Sequence, residues 1–140
     1  MLSSSVRSSS VLSSGVLSSS VATVPRAAES SGRLRSLLWT TFACWDCDRD
    51  RLADAALVLS ELVGNAVRHA DGDTLQVRLR RTGDVLRIAV RDGSAAWPTR
   101  REASIKDESG RGLLIIDALS HGWGWEPLAN GKVVWADVAC

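Results

Sequence analysis

The hydrophobic pattern is strongest in the middle of the chain, where residues 57–70 (LVLSELVGNAVRHA) are almost wholly apolar. One stripe of polar residues interrupts this stretch: Glu61 and Asn65 are one helical turn apart, and Arg68 and His69 follow one turn later. The other side chains need burial on nearly every other side, which is typical of a helix at the centre of a domain. On this stretch alone, the stripe is either a solvent-facing side or a functional site.

The flanking segments have periodic patterns of their own. Residues 25–45 repeat apolar side chains at three- and four-residue spacing, which predicts a first helix. Residues 75–80 and 85–91 alternate apolar and polar side chains on the two sides of a short turn, which predicts an antiparallel hairpin. One face of that hairpin is charged and exposed to solvent. The other face is apolar, so it must be covered by helices.

Asp92 ends the second strand of this hairpin, and residues 95–109 follow without periodicity, as is typical of a binding loop or lid. Gly110-Arg111-Gly112 then leads directly into an apolar segment. Glycines at the start of a helix allow close backbone approach, and the free N–H groups there favour an anion. Taken alone this is weak evidence for a phosphate site, because glycine before a helix is just as often plain loop chemistry.

A last hairpin closes the chain, with a turn at 130–131 and a final strand over 132–138. The order helix, helix, hairpin, helix, hairpin predicts an α+β fold, a two-layer sandwich whose mostly antiparallel sheet has helices packed on one face. With 140 residues and 45% hydrophobic side chains, the chain fits one domain, which we place at 22–140. Residues 1–21 are a low-complexity Ser/Val repeat, interpreted as a disordered tail whose last residues can supply an edge strand.

The formal net charge is +1 and the basic residues are scattered, which argues against nucleic acid as a direct partner. The sequence predicts neither a membrane span nor a signal peptide, so we expect a cytoplasmic protein without a membrane partner. Cys44 and Cys47 form a Cys-x-x-Cys pair, which we interpret as ordinary reduced thiols, with a redox pair as the alternative. Trp39 and Trp45 are expected in the core.

Four motifs occur together and in a fixed order: an acid and an amide one turn apart on a helix, an aspartate after a strand, a lid, and a Gly-x-Gly that opens a helix. They are Glu61-x-x-x-Asn65, Asp92, residues 95–109 and Gly110-x-Gly112-Leu113. In this arrangement residues 22–138 resemble the histidine-kinase-like ATPase superfamily, whose Bergerat-type ATP-binding fold is shared by sensor kinases, gyrase and mismatch-repair proteins. The wording ELVGNAVRHA, VRDGS, GRGL and GKVVWADV is similar to small actinobacterial regulatory proteins related to anti-sigma-factor serine/threonine kinases.

The resemblance implies ATP and Mg²⁺ as cofactors and gives roles to the matching residues. Asn65 is expected to hold the Mg²⁺ that bridges the phosphates, because this ion prefers hard oxygen ligands. Glu61 is expected to be the catalytic residue that orients and deprotonates the attacking hydroxyl or water. Asp92 is expected to accept a hydrogen bond from the adenine amino group, and Arg68 to lie near the phosphates.

The resemblance also implies that the glycine motif contacts the nucleotide. Gly110 and Gly112 would let backbone N–H groups reach the phosphates, Arg111 is a second candidate for a nearby positive charge, and Leu113 belongs to the same cofactor-binding motif. The family pattern after the aspartate is Asp-x-Gly-x-Gly, whereas Ser94 stands here in place of the first glycine. Its small hydroxyl side chain is expected to hydrogen-bond near the adenine.

Two functions follow from the resemblance. The first is a serine/threonine protein kinase that moves the γ-phosphoryl of ATP to a serine on an anti-sigma antagonist, with Glu61 as the base. The second is a non-catalytic module that sequesters a sigma factor or another regulator, with the nucleotide setting its conformation. The presence of Glu61 favours the kinase. A homodimer is compatible with either function, because related anti-sigma kinases work as dimers.

Overall fold

The computed structural model describes residues 5–10, 18–69, 72–92, 110–129 and 131–140. Within these ranges the strands are β1 (Ser5–Ser10), β2 (Ser18–Pro25), β3 (Thr74–Thr82), β4 (Val85–Asp92), β5 (Gly122–Leu128) and β6 (Gly131–Ala139). The α-helices are α1 (Ser30–Cys44), α2 (Leu52–His69) and α3 (Gly110–Leu119), and a short 3₁₀ helix, Arg49–Arg51, leads into α2.

The described strands form one six-stranded sheet in the order β1-β2-β3-β4-β6-β5, and every neighbouring pair is antiparallel. The β3–β4 hairpin turns at Gly83, whose φ of 60° lies in the left-handed region that glycine adopts without strain. Both predicted hairpins are therefore confirmed, and the sheet is the antiparallel one that the alternating pattern predicted.

The helices cover one face of the sheet. Helix α2 lies at the centre, against β4 and β6, with α1 and α3 packed on its flanks. Alternate residues of the two central strands point into this layer and are fully buried: Leu75, Val77, Leu79, Leu86, Ile88 and Val90. The opposite face carries exposed arginines, among them Arg78, Arg80 and Arg87. The predicted α+β sandwich, with helices packed on one side, is confirmed.

Helix α1 begins at Ser30, later than the apolar spacing indicated. The hydroxyl of Ser30 donates a hydrogen bond to the carbonyl of Pro25 at 2.6 Å, which closes a turn between β2 and the helix. Trp45 is buried as predicted, but the prediction for Trp39 is wrong, because its side chain is 55% exposed. The Arg49 guanidinium lies 5.1 Å from the centre of the Trp39 ring, so the tryptophan packs on the outside of the domain under a cation.

Helix α2 is entered through a capped turn, since the Asp48 carboxylate accepts a hydrogen bond from the Asp50 backbone N–H at 2.9 Å. The buried face of α2 points at the sheet, whereas Leu57, expected to be buried, is 42% exposed. In the described part of the chain, no helix combines the length and apolarity that crossing a bilayer requires.

Two segments of the Ser/Val repeat are β-strands in the structure. Strand β2 pairs with β3 along its whole length, and β1 pairs with the other side of β2. Strand β2 therefore lies inside the sheet, where the sequence suggested an edge. Buried and partly buried residues alternate along β2, and β3 offers its backbone hydrogen-bonding groups to this strand. Residues 1–4 and 11–17 lie outside the described residues, and the division into a tail and a domain stays a prediction.

Candidate functional site

Two charged residues lie side by side at one end of the helix-covered face. The cross-strand register there runs from Val24 to Leu75, from Leu75 to Asp92, and from Asp92 to Lys132. All four side chains are buried, with Asp92 3% and Lys132 8% exposed. Acidic and basic side chains are rarely buried to this degree without a purpose in binding or pairing. This end of the sheet is therefore the strongest candidate for a binding site.

The sequence had singled out Asp92 but not Lys132. The signal for Lys132 was present in the alternation of the last strand, because it lies in phase with Val134, Ala136 and Val138, which face the helices. A lysine in the buried phase of an otherwise apolar strand is an exception that requires an explanation.

The polar stripe of α2 lies on the side of the helix that points away from the core. Glu61 and Asn65 are half-buried and Arg68 is exposed. The Arg68 guanidinium reaches back along the helix and donates a hydrogen bond from Nη2 to Oδ1 of Asn65 at 2.9 Å. A Cβ added to Gly64 would lie 3.3 Å from Nη1 of Arg68, so this glycine leaves room for the guanidinium. The structure thus brings Asn65 and Arg68 together, with Glu61 one turn away.

Arg26 fixes the last turn of α2, and no sequence motif pointed to it. Its side chain donates from Nη1 to the carbonyl of Val67 at 2.8 Å and from Nε to the carbonyl of Gly72 at 2.6 Å. Its backbone N–H donates to the carbonyl of Asp73 at 2.8 Å. A cation at a helix C-terminus satisfies free carbonyls and stabilises the helix dipole. Because Arg26 follows the end of β2, the last turn of α2 lies at the same end of the sheet as Asp92.

The remaining predicted residues are only partly described. Ser94 and the expected lid, residues 95–109, lie outside the described residues. Helix α3 begins at Gly110, so Gly110, Arg111 and Gly112 form its first turn, and Leu113 follows in the same helix. Helix α3 packs against α2. Contact between this turn and a phosphate stays a prediction.

The two cysteines of the Cys-x-x-Cys pair lie in different environments. Cys47 is buried while Cys44 is exposed, and the hydrogen-bond neighbour of Cys47 is Cys140 at the end of the chain. Burial, together with this contact to Cys140, raises the pKa of the Cys47 thiol to about 12. A thiol with a raised pKa is a poor nucleophile near neutral pH.

A central helix with an acid and an amide on its outer stripe lies above a one-sided antiparallel sheet that ends in a buried aspartate, and these elements form one α+β domain. The family described as histidine kinase-like ATPase domain matches residues 24–137, and the chain belongs to this family. Membership supports ATP binding by this domain.

Among solved structures, the histidine kinase domain from the Erythrobacter litoralis EL346 blue-light activated histidine kinase is similar, with a TM-score of 0.48 and 19% sequence identity. The matched region covers 83% of this chain and 61% of that chain. The present chain therefore corresponds to less than two thirds of that domain. No curated protein matches the chain.

Proposed function

We propose that the chain is an ATP-dependent serine/threonine protein kinase of the anti-sigma-factor type. The observation that carries the catalytic part of the proposal is the state of Glu61. Its carboxylate is half-buried, one turn from Asn65, and makes no hydrogen bond or ion pair with any other residue that the structure describes. A general base for phosphoryl transfer must be free to accept a proton next to the metal and phosphate site.

The residues present fit ATP with Mg²⁺. The Asn65 side chain offers the amide oxygen that a hard cation prefers, and this oxygen now accepts the hydrogen bond from Arg68. Binding of the cation there would displace that contact, and the released guanidinium would be free to donate to a phosphate oxygen. The buried Asp92 carboxylate, at the same end of the sheet, would accept from the adenine amino group. When bound, Mg²⁺ supplies neutralisation of the charge on the phosphoryl oxygens.

The proposed step transfers the γ-phosphoryl group from one oxygen atom to another. The serine oxygen of the partner bonds to the γ-phosphorus, the bond from this phosphorus to the bridging oxygen breaks, and ADP leaves. Glu61 accepts the hydroxyl proton, while Arg68 donates hydrogen bonds to the transferred group. Such a step depends mainly on positioning and charge neutralisation, which a base, a cation and a metal-binding amide provide.

The proposed class of partner is based on the similarity of the sequence motifs to those of anti-sigma-factor kinases. The proposed phosphoacceptor is an anti-sigma antagonist, the protein bound in alternation with it is a sigma factor, and the proposed working form is a homodimer in the cytoplasm. Ser94, Gly110, Arg111, Gly112 and Leu113 belong to the same proposed nucleotide site.

Replacement of Glu61 by glutamine tests the catalytic part, because it keeps the size of the side chain and removes the base. We expect Glu61→Gln to bind a non-hydrolysable ATP analogue as wild type does. We also expect its slow release of ADP, with water as acceptor, to fall by about 10²–10⁴-fold. Glu29→Gln, an exposed glutamate before α1, is the matched control and should leave turnover unchanged.

Equal rates of ADP release from wild type and from Glu61→Gln would show that Glu61 does not act as the base. A wild type that binds the analogue but releases no ADP from ATP would also argue against catalysis. Either result would favour the non-catalytic module, in which the nucleotide only sets the conformation that holds a sigma factor or another regulator. In that case Asn65→Ala would abolish partner binding and Glu61→Gln would not.

A further inference from the structure

Lys132 is the second residue of β6 and the direct cross-strand neighbour of Asp92. Paired residues of antiparallel strands point to the same face, and their Cβ atoms are about 4.5–5.5 Å apart. Both side chains therefore enter the layer under the helices, at the end of the sheet where the last turn of α2 lies. On its other side Lys132 pairs with Pro127 of β5, which offers no polar side chain.

The ammonium group of Lys132 has an incomplete environment. The residue is 8% exposed, yet its side chain makes no hydrogen bond or ion pair with any residue in the described ranges. A lysine is almost never buried in this way unless a partner compensates for the lost hydration of its charge. A buried ammonium that makes no hydrogen bond within the described ranges, beside a predicted adenine-binding carboxylate, points to a ligand that supplies an acceptor.

The chemistry of the adenine edge fits the two side chains together. Adenine presents an amino donor and, next to it, a ring nitrogen acceptor, N1. A carboxylate followed by an ammonium one strand away offers an acceptor and then a donor, in the matching order. Guanine presents the reverse order, a carbonyl acceptor and then an N–H donor, so it would place acceptor against acceptor at Asp92 and donor against donor at Lys132.

We propose that Lys132 is a base-reading residue of the nucleotide site, whose ammonium donates a hydrogen bond to N1 of adenine while Asp92 accepts from the amino group. This inference rests on the nucleotide site of the proposed function, and it does not require the kinase step. It assigns Lys132 a role in the choice of adenine over guanine. It also explains why a charged side chain lies among the buried residues of the sheet.

The test uses Lys132→Met, which keeps the length of the side chain and removes its charge. Calorimetric titration with ADP, 1-deaza-ADP, 7-deaza-ADP and GDP, each with Mg²⁺, avoids turnover. For wild type we expect 1-deaza-ADP, which lacks N1, to bind about tenfold more weakly than ADP, since a hydrogen bond from a charged donor is lost. The 7-deaza compound, which keeps N1, should bind like ADP. For Lys132→Met we expect ADP and 1-deaza-ADP to bind equally weakly, and the preference over GDP to fall.

Unfolding of the nucleotide-free proteins separates this role from a structural one. If the ammonium is uncompensated without ligand, Lys132→Met should unfold at the same or a higher temperature than wild type while binding ADP less well. Arg91→Met, on the same strand end as Asp92 but exposed on the opposite face, is the matched control and should change neither property.

Three results would overturn the proposal. A Lys132→Met protein that unfolds more easily but binds ADP like wild type would make Lys132 a structural partner of the core. An equal loss for 1-deaza-ADP in wild type and in the variant would mean that N1 is read elsewhere. A folded wild type that binds none of the nucleotides would overturn this inference and the nucleotide site together, whereas the first two results leave the site intact.

Discussion

At the scale of single residues, the site depends on a few side chains that join segments far apart in the sequence. Arg26 is the clearest case, because one guanidinium binds carbonyls from the last turn of α2 and from the connection to β3. The turn that it fixes follows Asn65 and carries Arg68, the residues expected at the metal and the phosphates. A residue outside every motif thus determines how the expected phosphate side of the site is held.

Arg26→Met should therefore destabilise the domain by about 1–2 kcal/mol, because the partly buried Val67 carbonyl of α2 and the Gly72 carbonyl after it lose a charged donor. Chemical denaturation in urea measures this change. Arg35→Met, an exposed arginine on α1, should stay within about 0.5 kcal/mol of wild type. Because the last turn of α2 would fray, the variant should also bind an ATP analogue less well at a temperature where it remains folded. Stability equal to that of the control would show that the Arg26 contacts are dispensable.

At the scale of elements, contacts among Gly124, Trp135 and Arg87 hold the β5–β6 hairpin on the sheet face that the helices do not cover. The Trp135 ring packs close to Gly124, and the Arg87 guanidinium lies over the ring at 4.0 Å from its centre. Asp137 holds this guanidinium through two hydrogen bonds of 2.7 and 2.9 Å, and this pairing raises the pKa of Arg87. The edge strand β5 is thereby attached to β6 and β4, and β6 carries Lys132.

The two glycines of β5 offer a matched pair of substitutions. A Cβ at Gly124 would lie 2.9 Å from the Trp135 ring, whereas one at Gly122 would meet nothing within 4 Å. Gly124→Ala should displace the ring from Arg87 and destabilise the domain by about 1–2 kcal/mol, as overpacking does. Gly122→Ala should be neutral or stabilising by about 0.4–1 kcal/mol, because it restricts the unfolded chain. Urea unfolding followed by tryptophan fluorescence measures both, and equal stabilities would contradict the packing described here.

At the scale of the whole molecule, local patterns predicted most of the fold. The hairpins and the central helix follow from period-two and period-3.6 alternation and from turn residues, all of which are short-range signals. Trp39 was misplaced because a helical residue beside the buried face is easily assigned to it. Strand β1 and the inner position of β2 were not predicted, because they depend on which strands pair, and β2 pairs with β3, which is distant in sequence.

The sequence motifs singled out some residues of the candidate site, but they did not point to Lys132 or Arg26. Glu61, Asn65, Arg68 and Asp92 follow a recognisable order along the chain. The place of Lys132 beside Asp92 depends on the register between β4 and β6, and the role of Arg26 depends on where α2 ends in space. Neither is encoded in local spacing, so both required the structure.

We propose that ATP binds at the end of the sheet that carries Asp92, on the side where the last turn of α2 lies. Calorimetric titration of wild type, Asn65→Ala and Asp92→Ala with a non-hydrolysable ATP analogue and Mg²⁺ tests it most directly. We expect one binding site per chain in wild type and loss of binding in both variants, with circular dichroism showing that each remains folded. A folded wild type without binding, or variants that bind like wild type, would contradict it.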